Sequence, residues 1–274
     1  MDKHPIELDG WDCHAHLFGP YSQFPLSEER SYTPPEASEE QYQSLLATLH
    51  LSNGVLVHPS AYGEDHSLLF HALANSQNLR GVIVMRADSS FPLDDLYEKG
   101  VRGARFSHKS ASGSNFLGSA LMSDLLILAP RLADSNIHAE LWTDCAAIKE
   151  LAVDITALPV PVVIDHMGGF DALKGVNDPG FVALLKLLET GKVWIKLSVY
   201  RNLLSIKDWE LGLAFQQKMI EVNPDRLVWG SDWPHLRVSS APSTIELLEI
   251  FKRWAGNAEI INKILVTNPV HLYQ

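Results

Sequence analysis

Short apolar runs and longer amphipathic stretches alternate along the chain. Eight runs rich in Val, Ile, Leu and Trp read as strands, at residues 10–17, 54–60, 80–85, 100–106, 138–142, 160–166, 193–198 and 226–232. The stretches between and after them carry helical spacing at 39–49, 65–75, 93–99, 121–133, 145–158, 181–189, 208–222, 244–254 and 258–266. Ser38 is placed to cap the first helix, Gly191 to stop the one ending at 189, and Pro130 to kink or break the fourth. Near-continuous apolar strands suit parallel pairing with both faces buried. Eight strand–helix units with no break in composition predict one α/β domain over residues 1–274, a closed (β/α)8 TIM barrel. An open doubly wound sheet is the other arrangement, but no Gly-rich dinucleotide fingerprint follows the first strand.

Composition narrows the function classes. The chain has 274 residues, 46% of them hydrophobic, enough for a sizeable core. A formal net charge of −11 argues against nucleic acid as a partner, yet leaves room for a local arginine to hold a small anion. The two cysteines, Cys13 and Cys145, have no zinc-type spacing and no disulfide framework, which points to a reducing cytoplasm. The first residues lack the apolar core of a signal peptide, and no apolar run is long enough to span a membrane. Two polar passages, 19–35 and 107–119, have the composition of loops; the first is long, and its Arg30, Tyr32 and Thr33 are candidates to line a site. Oligomeric state is left open.

In a barrel of this kind chemistry sits at the C-terminal ends of the strands. Those ends carry His14 and His16, His58 and Ser60, Arg105 and His108, Glu140 and Trp142, His166, Lys196 with Ser198, Tyr200 and Arg201, and Asp232 with His235. His14 and His16 stand two apart, so a strand turns both imidazoles to one face. Two such rings offer nitrogens to a metal or donors to a carbonyl oxygen. Charged and polar groups concentrated at one end of apolar strands are costly without partners, and a stability argument does not ask for them.

Asp12-Cys13-His14-Ala15-His16, Asp165-His166-Met167-Gly168-Gly169 and Gly230-Ser231-Asp232-Trp233-Pro234-His235 resemble the amidohydrolase superfamily, in the lactonase-like branch typified by 2-pyrone-4,6-dicarboxylate lactonase. Arg30-Ser31-Tyr32-Thr33-Pro34, Gly103-Ala104-Arg105-Phe106 and Asn268-Pro269-Val270-His271-Leu272-Tyr273 extend the resemblance nearly end to end. It implies a hydrolase opening the lactone of a small carboxylated or polyhydroxylated acid, in aromatic or sugar acid catabolism. His14, His16 and His166 would surround the substrate carbonyl and Asp232 would handle the water. Arg105 would grip a substrate carboxylate, its guanidinium head free in the cavity, with Tyr32, Ser60 and Arg201 as further contacts. The branch has a second basic residue in the loop after the fourth strand; here Ser107-His108-Lys109-Ser110-Ala111 offers Lys109 or His108. The implied cofactor is none, or one divalent metal, zinc by preference, on His14, His16, His166 and Asp232. Alternatives are a zinc-dependent decarboxylase or other hydrolase of the superfamily, and a catalytically silent barrel that binds a carboxylate. Asp12 and Asp165 read as structural, Cys13 as packing, Glu140 as undecided, and Arg105 paired to a structural carboxylate such as Glu140 is the plainer alternative to the anion clamp.

Overall fold

The computed structural model describes residues 9–89, 92–93, 95–111, 115–203, 209–236, 238 and 243–274. Eight parallel strands form the barrel in sequence order: β1 (Trp11–Ala15), β2 (Asn53–Val57), β3 (Leu79–Val84), β4 (Val101–His108), β6 (His138–Thr143), β7 (Val162–Ile164), β8 (Val193–Leu197) and β9 (Leu227–Trp229). A two-residue strand, β5 (Ala120–Leu121), pairs only with β4. Among the described residues no ladder joins β9 to β1. The seam closes just beyond their ends, where Asp232 N donates to His14 O at 2.8 Å and His16 N to Trp233 O at 2.9 Å. The protein is therefore a (β/α)8 barrel, as the eight apolar runs predict.

Helices α1 (Glu39–Leu49), α2 (Ser67–Asn75), α3 (Met122–Asp134), α4 (Cys145–Ala157), α5 (Pro179–Glu189), α6 (Leu211–Val222) and α7 (Thr244–Ala255) connect or follow the strands. Ser38 caps α1 through Gln41 N, and Asp178 caps α5 through Gly180 N and Phe181 N. One expectation is corrected and two are refined. Residues 95–100 form turns rather than a helix, with Asp95 at φ +63°, a left-handed conformation that no α-helix accommodates. Pro130 does not end α3, which runs on to Asp134; the carbonyl that the ring would deprive belongs to Leu126, on the exposed face. The stretch 258–266 is helical as expected, and the helix runs on: α8 (Ala258–Asn262) passes through a π-turn (Lys263–Thr267) into α9 (Asn268–Tyr273), with right-handed helical backbone at both junctions. Asp208, expected to open α6, lies outside the described residues.

Strand alternation divides the core. Leu56, Ile83, Ile164, Ile195 and Trp229 belong to the large cluster with the helices. Alternate positions, Val55, Val57, Val82, Val163, Trp194 and Val228, form a second cluster with Trp11, Cys13 and Tyr273. That inner cluster fills the barrel below the strand ends, so Cys13 is a packing residue as expected. It leaves the C-terminal mouth to polar side chains. Gly103 is required in this filling: a Cβ there would stand 2.4 Å from His138 Nε2.

Candidate active site

The register of β1 against β2 slips between Asp12 and Ala15, and beyond the slip His14 and His16 turn to one point. Their Nε2 atoms lie 3.3 Å apart, His16 Nε2 lies 3.3 Å from Asp232 Oδ1, and His14 Nε2 lies 3.7 Å from that oxygen. His166 enters from the turn after β7, with Nε2 4.0 Å from Asp232 Oδ2 and its ring 4.8 Å from that of His14. The two late site residues have left-handed backbones, His166 at φ +48° and Asp232 at φ +57°. Such conformations in non-glycine residues concentrate where side chains must be aimed off the regular path of a strand. Asp12 secures the arrangement from behind. Its carboxylate accepts from Ser231 N at 2.7 Å, Ser231 Oγ at 2.6 Å, His14 N at 3.2 Å and Tyr42 Oη at 3.2 Å. Burial pushes its pKa up to about 6.

Asp232 uses its two oxygens differently. Oδ2 accepts from Tyr200 Oη at 2.6 Å and from Arg201 Nε at 2.5 Å. Oδ1 is buried and faces the histidines; among the described residues no donor meets it in full hydrogen-bond geometry, and His16 Nε2 at 3.3 Å is near enough to help hold its charge. Burial alone would raise the pKa of this carboxyl, but Arg201, then His166 and His16, outweigh it and hold the group well below the usual carboxylate range. Burial also lowers His166 to about 3, against the pull of Asp232, and takes His14 well below its ordinary value with the help of Lys196. The site at neutral pH is thus an ionised carboxylate beside two neutral imidazoles, His14 and His166.

Beneath this floor lies a wholly buried ionic layer. Lys196, on β8, reaches Glu140 Oε2 at 2.5 Å, His14 Nδ1 at 3.2 Å and Asp165 Oδ1 at 3.6 Å. Glu140 is raised to about 7, first by burial and then by Asp165. Arg105, at the end of β4, is not free as expected. Its Nε and Nη2 grip Asp165 Oδ2 at 2.9 and 2.8 Å, and Glu140 lies 3.7 Å from Nε. Asp165, at the end of β7, has no other way to stay ionised: burial opposes its charge, and Arg105, Lys196 and His14 overcome it. The expected carboxylate partner of Arg105 is present: Asp165 holds the fork, and Glu140 stands behind it at 3.7 Å. Nη1 takes no part in this fork, and the residue still lines the cavity above.

That cavity has a volume of about 740 Å³. His16, His166 and Asp232 form its floor, and Arg105, Arg201, Lys109, Tyr32 and Ser60 stand around it; His14 lies just beneath. His14, His16, His166, Asp232, Arg105, Tyr32, Ser60, Arg201 and Lys109 are therefore in one place, whereas Arg30 and Thr33 do not line the cavity. Lys109, not His108, supplies the loop cation. Its Nζ donates to Thr143 O at 2.7 Å and lies 4.4 Å over the Trp142 ring. Trp142 stacks on Phe116 at 4.9 Å, and Phe116 meets Tyr32 edge-on at 5.7 Å, giving the cavity a flat aromatic wall. Arg30 turns aside to Ser27 O and Thr33 Oγ1. Lys196 and Tyr200 are the functional neighbours that sequence reasoning left without a role. Both stand at a strand end, which is the one signal that could have found them.

A tetrahedral ion with bonds of about 2.0–2.1 Å separates its ligands by about 3.3 Å. The His14–His16–Asp232 triangle has edges of 3.3, 3.3 and 3.7 Å, with Asp232 Oδ1 at one corner. One divalent ion fits that face with room for a further oxygen.

Known proteins of the same build have been found. The chain is 36% identical to 4-sulfomuconolactone hydrolase of Rhizobium radiobacter over 98% of its length and 91% of that protein's. It is 34% identical to 2-pyrone-4,6-dicarboxylate hydrolase of Comamonas testosteroni, over 96% and 89%. A crystal structure from Pseudomonas putida, of a protein provisionally assigned as a 2-pyrone-4,6-dicarboxylic acid hydrolase, superposes with a TM-score of 0.83 at 31% identity, covering 97% of this chain and 98% of that one. The amidohydrolase family model matches residues 11–274, the span that carries every strand and every site residue described above, and the chain belongs to that family.

Proposed function

We propose that this enzyme opens the lactone of a small carboxylated acid. One observation carries the reading: Oδ1 of an ionised Asp232 faces imidazoles at the floor of a cavity that three cations line. Ester opening needs an activated water, a polarised carbonyl and a protonated leaving oxygen. Asp232 Oδ1 takes the proton from water and returns it to the alkoxide or enolate that leaves. Ring N–H groups of the histidines meet the oxyanion as it forms. Arg105 Nη1, Arg201 and Lys109 hold the substrate's carboxylate or carboxylates. A zinc ion, when bound on the His14–His16–Asp232 face, would polarise the carbonyl and acidify the water.

The aromatic wall of Phe116 and Trp142 suits a flat unsaturated ring, and the relatives named for sulfomuconolactone and pyrone dicarboxylate hydrolysis agree. Muconolactones and pyrone carboxylates therefore head the candidate substrates, ahead of sugar lactones. Both cysteines are buried and free, which fits a reducing compartment, and we place the enzyme in the cytoplasm. Among the described residues no helix is long and apolar enough to cross a membrane. The test is a lactone panel followed with a pH indicator. Acid release from carboxylated lactones is expected. Turnover only of amides, or only decarboxylation, would overturn the lactone assignment, and recovery of every ligand unopened would make the barrel a binder.

A further inference from the structure

Lys196 is an unusual residue to bury inside a barrel, and its side chain is 0% exposed. Glu140 neutralises it, but the ammonium has further protons to place. One points to His14 Nδ1, 3.2 Å away. An ammonium offers three donors and no lone pair. In this contact Lys196 donates and Nδ1 accepts, so the ring proton of a neutral His14 lies on Nε2. The same logic applies at the next ring. His16 Nδ1 lies 2.7 Å from Val57 O, which only accepts, so that nitrogen carries a proton and Nε2 of a neutral His16 carries the lone pair. The two Nε2 atoms, 3.3 Å apart, are then a donor facing an acceptor. The chain Lys196 to His14 to His16 to Val57 O runs in one direction, and every link is satisfied. The competing arrangement would turn His14 Nδ1–H toward Asp165 Oδ1, 3.3 Å away. That oxygen is near enough to draw such a proton, but a proton on Nδ1 would also face the Lys196 ammonium, which at 3.2 Å is the nearer group and can only donate.

We propose that Lys196 is a positioning residue that holds His14 as its Nε2–H tautomer, so that the imidazole turns a proton rather than a lone pair toward His16 and Asp232, and a substrate oxygen would have to take that proton over from His16. The tautomer follows from the contacts alone. That the proton meets a lactone oxygen rests on the function proposed above. The assignment also bears on metal binding. The His14–His16–Asp232 face fits an ion by distance, but an ion needs the Nε2 lone pair of His14. To supply it, the ring proton must move to Nδ1, where it meets the donor Lys196 head-on. Lys196 therefore opposes occupation of a face that is otherwise the right size.

The experiment reads the proton directly. In metal-free protein labelled with 15N at histidine, the His14 ring nitrogens, assigned with a His14→Gln variant, are expected to show the proton on Nε2. A proton on Nδ1 would overturn the proposal. The paired variant Lys196→Met with Glu140→Gln removes the donor without leaving a buried carboxylate unpaired. Partners of ligating histidines commonly change metal affinity by roughly ten- to a hundredfold. The variant is therefore expected to bind zinc at least about tenfold more tightly than the parent, read by competition with a chromophoric chelator, with its His14 proton moved to Nδ1. Unchanged zinc affinity and an unchanged tautomer would refute the role of Lys196. Should the variant not fold, the spectrum of the parent decides by itself. Neither reading uses turnover, so a failure of the lactone assignment leaves this result standing.

Discussion

Asp232 Oδ2 is tied to Tyr200 and Arg201 while Oδ1 faces the histidines, so one oxygen fixes the side chain and the other is placed for the proposed proton transfer. Asp232→Asn keeps the shape but cannot accept a proton at neutral pH. Turnover is expected to fall by about 10²–10⁴, the usual worth of a general base, with an unchanged circular dichroism spectrum. Equal kcat in mutant and parent would hand the role of base to His166. Arg105 has two duties, because one edge of its guanidinium braces Asp165 and the residue lines the cavity. Arg105→Lys replaces a planar fork with a point charge. It should lower the melting temperature and also raise KM by about ten- to a hundredfold, the loss of one charge-assisted bond. A KM effect without a stability effect would show that Asp165 does not depend on Arg105. The pairing of His14 with His16 was legible in the sequence because strand alternation is local. The Lys196–His14 contact was not, because it joins residues 182 positions apart. Alternation tells which face a residue takes and never which distant strand lies beside it.

At the scale of elements, the loop after β4 completes the cavity. Leu117 N donates to Ser31 Oγ at 2.8 Å, and Gly118 crosses Ser60 so closely that a Cβ would lie 2.2 Å from its carbonyl oxygen. Gly118 also holds φ +83°. Gly118→Ala should therefore lift the loop off the second strand's end and carry the Phe116 wall with it. KM is expected to rise several-fold while stability falls by no more than the cost of a strained surface loop, about 1–3 kcal/mol, read as a modest drop in melting temperature. Measuring both on one preparation separates a displaced wall from a damaged core. The Ser- and Gly-rich composition of 107–119 announced a loop, but not that it would fold over the mouth. Helix 93–99 failed as an expectation for a related reason: apolar spacing was present at Leu93 and Leu96, while Asp95 took a left-handed conformation that spacing cannot reveal.

For the whole molecule, the balance of buried titratable groups sets the acid limit. His14, His58, His66, His138, His166 and His235 all have folded pKa values below 6.5. Unfolding lets each bind a proton below its unfolded pKa of about 6.5, so their contribution is present above that pH and is lost as pH falls. Asp12 and Glu140 act the other way, since their values are raised to about 6 and about 7. Their contribution is present below about pH 4 and declines as pH rises through those values. Six groups outnumber two, so the melting temperature is expected to fall as pH is lowered from about 6.5 to 5. A flat or rising profile there would mean that these histidines are already charged in the folded state. The barrel itself was legible because eight apolar runs alternate with helical stretches. Its closure was not, because the seam is made by Asp232 N and His16 N beyond the ends of β9 and β1, where no apolar pattern remains.

On the function proposed above, the contact between Arg201 and Asp232 would couple recognition to reactivity. The cation that holds Asp232 low is also one that a substrate carboxylate would meet. An anion arriving on the outer edge of Arg201 cancels part of its pull, and the aspartate becomes a stronger base at the moment a proper substrate is in place. Water near an empty or wrongly filled site faces a weak base. Neutral lactones should therefore be handicapped twice, in how well they are held and in how fast they are cut, and a small free carboxylate added alongside one should quicken its hydrolysis rather than merely compete.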